Sequence, residues 1–357
     1  MSMQNNNQSF QKTIGILTFH DGINHGGYLQ VYSLSHYIES CGFNVEVINY
    51  KNMRHWFNEY KCVLRTKNPF LFMKMLKKVI VFKKSQSLIP FGRFTFNTNK
   101  IGNRHYDTVV VGSDEVWNYQ QPIVGYDLTY FGRNIKAKRL ISYAASFGAV
   151  RVEEGNIPSD IYSLINKFDR ISVRDSNSLS IIERIGRNDA KLVADPVFLI
   201  DLPINNAQLD EKDFILIYAA GLSVDLQEEI RFFARRMGKK LISIGYMNRW
   251  CDKNVIAIDP FKWLAYFKEA SLVITSMFHG TMISIKYGKQ FCTLVDPYRV
   301  NKFKGIMEKL ELVNRIKDNE TSLDKIFASK IDYARVQGLL EVFTQDSKDY
   351  LQQALYH

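Results

Sequence analysis

Short apolar runs alternate with helix-length amphipathic segments along almost the whole chain, and that alternation confines the fold to a parallel α/β sheet. Parallel neighbours need a helical crossover, and strands buried on both faces read as unbroken apolar runs. Strands are expected at 13–19, 45–50, 107–111, 140–145, 170–173 and 191–194, then at 214–218, 241–244, 272–275 and 291–295. Helices are expected at 225–237, 260–270, 279–287 and 331–355, with no strand signal after Val295. A helix after the first strand, with Val31, Leu34 and Ile38 at spacings of three and four, ends at Gly42. Asp195-Pro196 and the polar run 202–212 punctuate the chain between two such series. The expected fold class is therefore α/β, with two Rossmann-like lobes facing a cleft. The first lobe is expected over 12–204, the second over 205–330 and a C-terminal helix over 331–357. Residues 1–11, polar and Asn/Gln-rich, read as a disordered leader. In open parallel sheets ligands bind beyond the carboxyl ends of the strands, so the loops there are the candidates for chemistry.

The charge is localised. Of 357 residues, 47 are Lys or Arg and 36 Asp or Glu, a net +11. Residues 51–104 alone hold 13 basic side chains against Glu59, or +12, which leaves −1 for everything else. A nucleic-acid coat spreads its charge over several elements, so this pattern disfavours one. No run of 18 or more apolar residues predicts a spanning helix. Cys41, Cys62, Cys251 and Cys292 form no C-x-x-C pair, which fits a reducing cytosol better than a disulfide framework or a zinc site.

Four strand-end loops stand out. His20 to Gly27 carries Asn24 and Gly26 ahead of a helix containing Gln30. Glycines there let backbone N–H groups approach an anion, or form a plain capped turn. Gly112 to Asn118 brings Ser113, Asp114, Trp117 and Asn118 to a sheet end. Polar groups beside a flat ring suit a sugar, though Ser113 or Asp114 capping a helix and Trp117 in the core fit equally. Arg174, just past a strand, suits a carboxylate or phosphate, or a surface pair with Asp175 or a neighbouring acid. Ser276 to Thr281 sets His279 and Gly280 at a helix entry, where the dipole favours a neutral imidazole until an anion arrives. A structural capping His is the alternative.

Together these blocks resemble the polysaccharide pyruvyl transferase family. The resemblance rests on Asn24, Gly26, Leu29, Gln30, Tyr32 and Leu34; Gly112-Ser113-Asp114 with Val116-Trp117-Asn118; and Ser146-Phe147-Gly148. It continues through Val173-Arg174-Asp175 with Ser178, Asp195-Pro196, Pro260-Phe261, and Ser276 with Phe278-His279-Gly280-Thr281. It implies a GT-B-like fold and transfer of a pyruvyl group from phosphoenolpyruvate to a sugar, forming a ketal. By that resemblance His279 and Asp114 are catalytic, and Arg174, Ser276, Gly280 and Thr281 bind the donor. Asn24, Gly26, Gln30, Ser113, Trp117 and Asn118 would bind the acceptor. No cofactor and no metal are expected, phosphoenolpyruvate being the donor substrate. One position departs: the family's Ser-Arg-Phe-His-Gly reads Ser276-Met277-Phe278-His279-Gly280 here, and a thioether cannot clamp an anion. Either another base, with Arg249, Arg299 and Lys302 the candidates, replaces that charge, or the donor or the reaction differs.

Two other functions remain open on the sequence: a GT-B glycosyltransferase using a nucleotide sugar, and a non-catalytic glycan-binding relative, for which Met277 speaks. The insertion adds a location. Asn68-Pro69 opens a helix over 68–84 that mixes apolar residues with five lysines, able to lie on an anionic membrane or to cover the first lobe. The expected setting is cytoplasmic, peripheral on the inner face of the membrane where lipid-linked oligosaccharide acceptors are assembled. The partners are then donor, acceptor and membrane, without nucleic acid, and homo-oligomerisation is left open.

Overall fold

In the first lobe, strands β1 (Thr13–Leu17), β2 (Asn44–Val47), β3 (Tyr106–Val111) and β4 (Ala137–Ser142) form a parallel sheet in the order β2-β1-β3-β4. The computed structural model describes residues 12–101, 104–151, 157–204, 209, 211–295 and 300–356. Single bridges from Ile141 to Arg170 and from Ala145 to Val173 carry the sheet on to β5 (Ser172–Val173), which pairs with β6 (Lys191–Leu192). Helices α1 (His25–Ser40), α2 (Met53–Leu64), α3 (Pro69–Ser85), α4 (Thr98–Ile101), α5 (Ser159–Ile165) and α6 (Ser176–Arg184) belong to this lobe.

The second sheet is also parallel, in the order β12-β11-β10-β7-β8-β9. Its strands are β7 (Phe214–Tyr218), β8 (Lys240–Ile244), β9 (Lys253–Val255), β10 (Leu272–Thr275), β11 (Gln290–Leu294) and β12 (Ile316–Lys317). Around it lie α7 (Val224–Arg236), α8 (Pro260–Glu269), α9 (Phe278–Lys286), α10 (Val300–Lys309) and α11 (Leu323–Ala328). β12 corrects the expectation of no strand after Val295. With two residues paired to Thr293 and Leu294, it is too short to leave an apolar run. The expected leader over 1–11, Arg299, and the expected boundary at 205 lie outside the described residues.

Three features fix the lobes against each other. A single apolar core runs from Ile14 and Leu34 in the first lobe through Trp263 and Ile283 in the second. His25, at the start of α1, stacks on Trp263 with centroids 5.2 Å apart and donates from Nε2 to the Ile258 carbonyl at 3.1 Å. The last helix, α12 (Tyr333–Tyr356), leaves the second lobe and returns to the first. There the Ala194 amide donates to Ser347 Oγ at 2.8 Å, and the Tyr356 hydroxyl donates to the Cys41 carbonyl at 2.7 Å.

The basic insertion is folded. Asn68 caps α3 by accepting from the Leu71 amide at 3.1 Å, with Pro69 in the first turn. Beyond α3, Phe91 bridges Val47 and Thr95 bridges Tyr50, so the segment covers the open edge of β2. α3 also reaches the second lobe, where the Lys78 ammonium donates to the Gly245 carbonyl at 2.9 Å. Burial pushes that amine down to about 8. No helix among the described residues is long and apolar enough to cross a membrane.

Candidate active site

Both sheets end on the same cleft, of about 380 Å³, and each lobe places charge there. Arg174 follows β5 and is buried. Its guanidinium donates to Asp114 Oδ1 at 2.9 Å and to Asp195 Oδ2 at 3.3 Å. Asp175 does not pair with it in this way: it caps α6, accepting from the Ser178 amide at 2.8 Å and from Ser146 Oγ at 2.6 Å. From the second lobe, His279 in the first turn of α9 brings Nε2 to 3.6 Å from Asp195 Oδ2, with no hydrogen-bond partner among the described residues. Lys302 on α10 pairs with Glu115. The Phe278 ring meets both cations, its centroid 4.6 Å from the Arg174 guanidinium carbon and 5.8 Å from the Lys302 Nζ.

Electrostatics keep the three acids ionised. Burial alone would raise the Asp114 carboxyl, but Arg174, with His279 and Lys302, outweighs it and holds the group below the ordinary carboxylate range. The same balance lowers Asp195, where His279 and Arg174 oppose burial. Glu115 is lowered chiefly by Lys302, again against burial. The cleft thus holds fixed cations already neutralised by carboxylates, and an anionic ligand has to take over those partners.

The expected site residues divide. Asn24, Asp114, Asn118, Arg174, Ser276 and His279 all line this cleft. Trp117 corrects its expected role at a sugar: it is fully buried between Phe131 and Phe147, and its indole donates to the Tyr130 carbonyl at 2.9 Å. Ser113 and Gln30 are likewise wholly buried and bond each other, Ser113 Oγ donating to Gln30 Oε1 at 2.9 Å. Thr281 faces the sheet, its hydroxyl 2.9 Å from that of Thr293. None of these three reaches ligand space. A Cβ on Gly280 would meet Thr275 Oγ1 at 2.1 Å, so that glycine serves close packing. Gly26 positions the histidine: a Cβ there would lie 2.2 Å from His279 Cγ. The amides of Gly26 and Gly27 are taken by Asn24 Oδ1 at 3.0 and 3.4 Å, so the first loop is a capped turn rather than an anion cradle.

Sequence reasoning missed the roles of Asp195, Glu115 and Phe278. Asp195 read as punctuation because Pro196 follows it, yet its buried carboxylate joins Arg174 to His279. Of the three candidates for the absent arginine's charge, Arg299 lies outside the described residues and the other two differ in position. Arg249 is exposed and away from the cleft, whereas Lys302 lines it beside Met277.

The family model described as polysaccharide pyruvyl transferase matches residues 24–296, more than half of the chain. Comparison with curated proteins gives no match. Among solved structures, the UDP-GlcNAc 2-epimerase of Neisseria meningitidis bound to UDP-GlcNAc is similar at TM-score 0.50 and 10% identity, over 97% of this chain and 99% of that one. MnaA of S. aureus with UDP gives 0.51 and 11%, over 95% and 91%. At such identity the likeness shows the fold alone, the two-lobed GT-B-like arrangement.

Proposed function

The chain belongs to the polysaccharide pyruvyl transferase family, and from that premise we propose that it transfers a pyruvyl group from phosphoenolpyruvate to a sugar of a bacterial surface polysaccharide or its lipid-linked precursor. The observation that carries this reading is the convergence of Arg174, Lys302 and His279, from both lobes, on one cleft. Phosphoenolpyruvate has a carboxylate and a phosphate, and a guanidinium, an ammonium and an imidazole match them. Lys302 takes the part that an arginine at position 277 would otherwise play.

Ketal formation then proceeds by addition, elimination and addition. A sugar hydroxyl oxygen bonds to C2 of the donor while C3 gains a proton and the hydroxyl loses its own. His279 protonates the bridging oxygen, and phosphate leaves with the C–O bonding pair. A second hydroxyl of the same sugar adds at C2 and releases its proton, closing the ring. Arg174 and Lys302 hold the anionic groups throughout. Asp114 orients the acceptor hydroxyl from a fixed position, one oxygen being held by Arg174 and by the Glu115 amide.

A nucleotide-sugar donor finds less support. Among the described residues, the second lobe lends no carboxylate to the cleft for a ribose. Glu229 is instead engaged by Lys317 and the Leu323 amide. The test is phosphate release from phosphoenolpyruvate across a panel of lipid-linked sugars. Acceptor-dependent release supports the reading; glycosyl transfer from a nucleotide sugar without phosphate release overturns it. Calorimetry showing glycan binding but neither donor would favour the non-catalytic alternative.

The same reading gives α3 a location on an anionic membrane surface. Its outer face carries Phe70, 81% exposed, with Met73 and Ile80, and the exposed Lys74, Lys77 and Lys84 lie on the same side. Flotation with vesicles containing acidic lipid should be strong at low salt and weaken as salt rises; flotation indifferent to salt would remove the electrostatic part.

A further inference from the structure

A second cavity, of about 250 Å³, opens beside the cleft on the first-lobe side and shares Asn24, Asp114, Glu115, Gln121 and Ile123 with it. Its far wall is built by Phe19, His55 and Glu59, the last two from α2 of the basic insertion. We propose that this cavity is the acceptor subsite, holding one pyranose ring, with His55 and Glu59 as partners for the sugar's polar groups. The inference rests on the transferase reading and adds where and by what the acceptor is read.

Size comes first. Pockets for drug-sized ligands run to roughly 300–1,000 Å³, so this smaller space suits a single sugar. Placement comes next. Asp114 belongs to both cavities, so a ring seated here presents hydroxyls to a donor on the other side of that carboxylate. Two hydroxyls of one sugar must reach the same donor carbon, which calls for a ring held at its far end rather than at the reacting edge.

The far end is furnished for that. His55 is buried, with Nδ1 3.8 Å from Asp21 Oδ1 and its ring 5.0 Å from that of Phe19. The other Asp21 oxygen is buried without a hydrogen-bond partner among the described residues. An imidazole flanked by a carboxylate keeps its second nitrogen for a ligand hydroxyl. Glu59 is placed by the Ile23 amide, which donates to it at 2.9 Å. Phe19 supplies the flat apolar face that the sequence had led one to expect from Trp117.

The test uses the full chain and methyl glycosides of glucose, galactose and mannose, read by saturation-transfer NMR, with calorimetry of phosphoenolpyruvate in parallel. The wild type should transfer saturation to at least one glycoside. His55→Phe, which keeps the ring beside Phe19, and Glu59→Gln should each weaken that glycoside at least tenfold without altering donor binding. Transfer to none of the glycosides while the donor binds, or equal transfer in wild type and both variants, overturns the subsite. Loss of glycoside binding in the variants, with no donor binding even by the wild type, keeps the subsite and rejects the donor.

Discussion

Two regions of this molecule are rich in cations and use them in opposite ways. In the cleft, Arg174 and Lys302 are each held by carboxylate and both lie near the Phe278 ring. Along α3, Lys74, Lys77 and Lys84 face solvent beside exposed apolar side chains. Buried, partnered cations give fixed geometry and a specific anion site, at the cost that losing one leaves an uncompensated charge. Solvated cations give a diffuse field that salt screens. Under the proposed function, one region serves chemistry and the other location.

That contrast can be broken most sharply at His279. His279→Ala should lower phosphate release by about 10²- to 10⁴-fold, the range for a positioned general acid. Gly26→Ala should approach the same loss by displacing the imidazole, since its Cβ has no room beside that ring. Retained phosphate release in His279→Ala would remove the residue from the chemistry. Arg174→Met comes next: with Asp114 and Asp195 left unpaired, thermal unfolding should show about 3–5 kcal/mol of lost stability. An unchanged Tm would mean that the ion-pair network contributes little. Lys302→Met should weaken phosphoenolpyruvate binding by about 10- to 100-fold, the equivalent of one charge-assisted hydrogen bond of ~1.5–3 kcal/mol, read by calorimetry. Glu115→Gln should move affinity the other way by releasing Lys302.

On the other side of the comparison, charge reversal at Lys74, Lys77 and Lys84 should abolish vesicle binding, each lysine near an anionic surface being worth about 1 kcal/mol. It should leave donor binding unchanged; a fall in donor affinity would mean that α3 serves the cleft. The smallest effect expected is on pH. Burial, aided by Lys78, lowers His25 well below its ordinary 6.5. The unfolded chain therefore takes up a proton there before the native one does, so stability is full above about pH 6.5 and falls as pH drops below it. Denaturant titrations at pH 7.5 and 5.5 should show this decline, and His25→Phe, which keeps a ring on Trp263, should lessen it.

Much of the architecture was legible because its causes are local. β7 and β10 lie where the apolar runs put them, at 214–218 and 272–275, and Asn68-Pro69 opens α3 as the cap and proline demand. Strand-end loops carrying Arg174 and His279 could be found because strand and helix periods mark where each element stops. The short strands β9 and β12 gave too few residues for a period to form.

What stayed hidden depends on contacts between distant parts of the chain. Trp117 and Asn118 are neighbours in sequence, yet one is core and the other lines the cleft, because an irregular turn carries no periodicity to assign faces. Nothing near Asp195 announces that Arg174 and His279 will meet on it, nor does Gly26 announce the ring that occupies its missing Cβ. The sequence by itself determined the parallel α/β class, the family and the place of the charge excess, since hydrophobic period, motif order and composition are properties of the chain. Only the tertiary structure decided which carboxylate neutralises which cation, that Lys302 lines the same cleft as Met277, and that the insertion reaches back to build a second cavity. Those outcomes come from packing two lobes face to face, where a few ångströms of approach select partners that sequence separation does not encode.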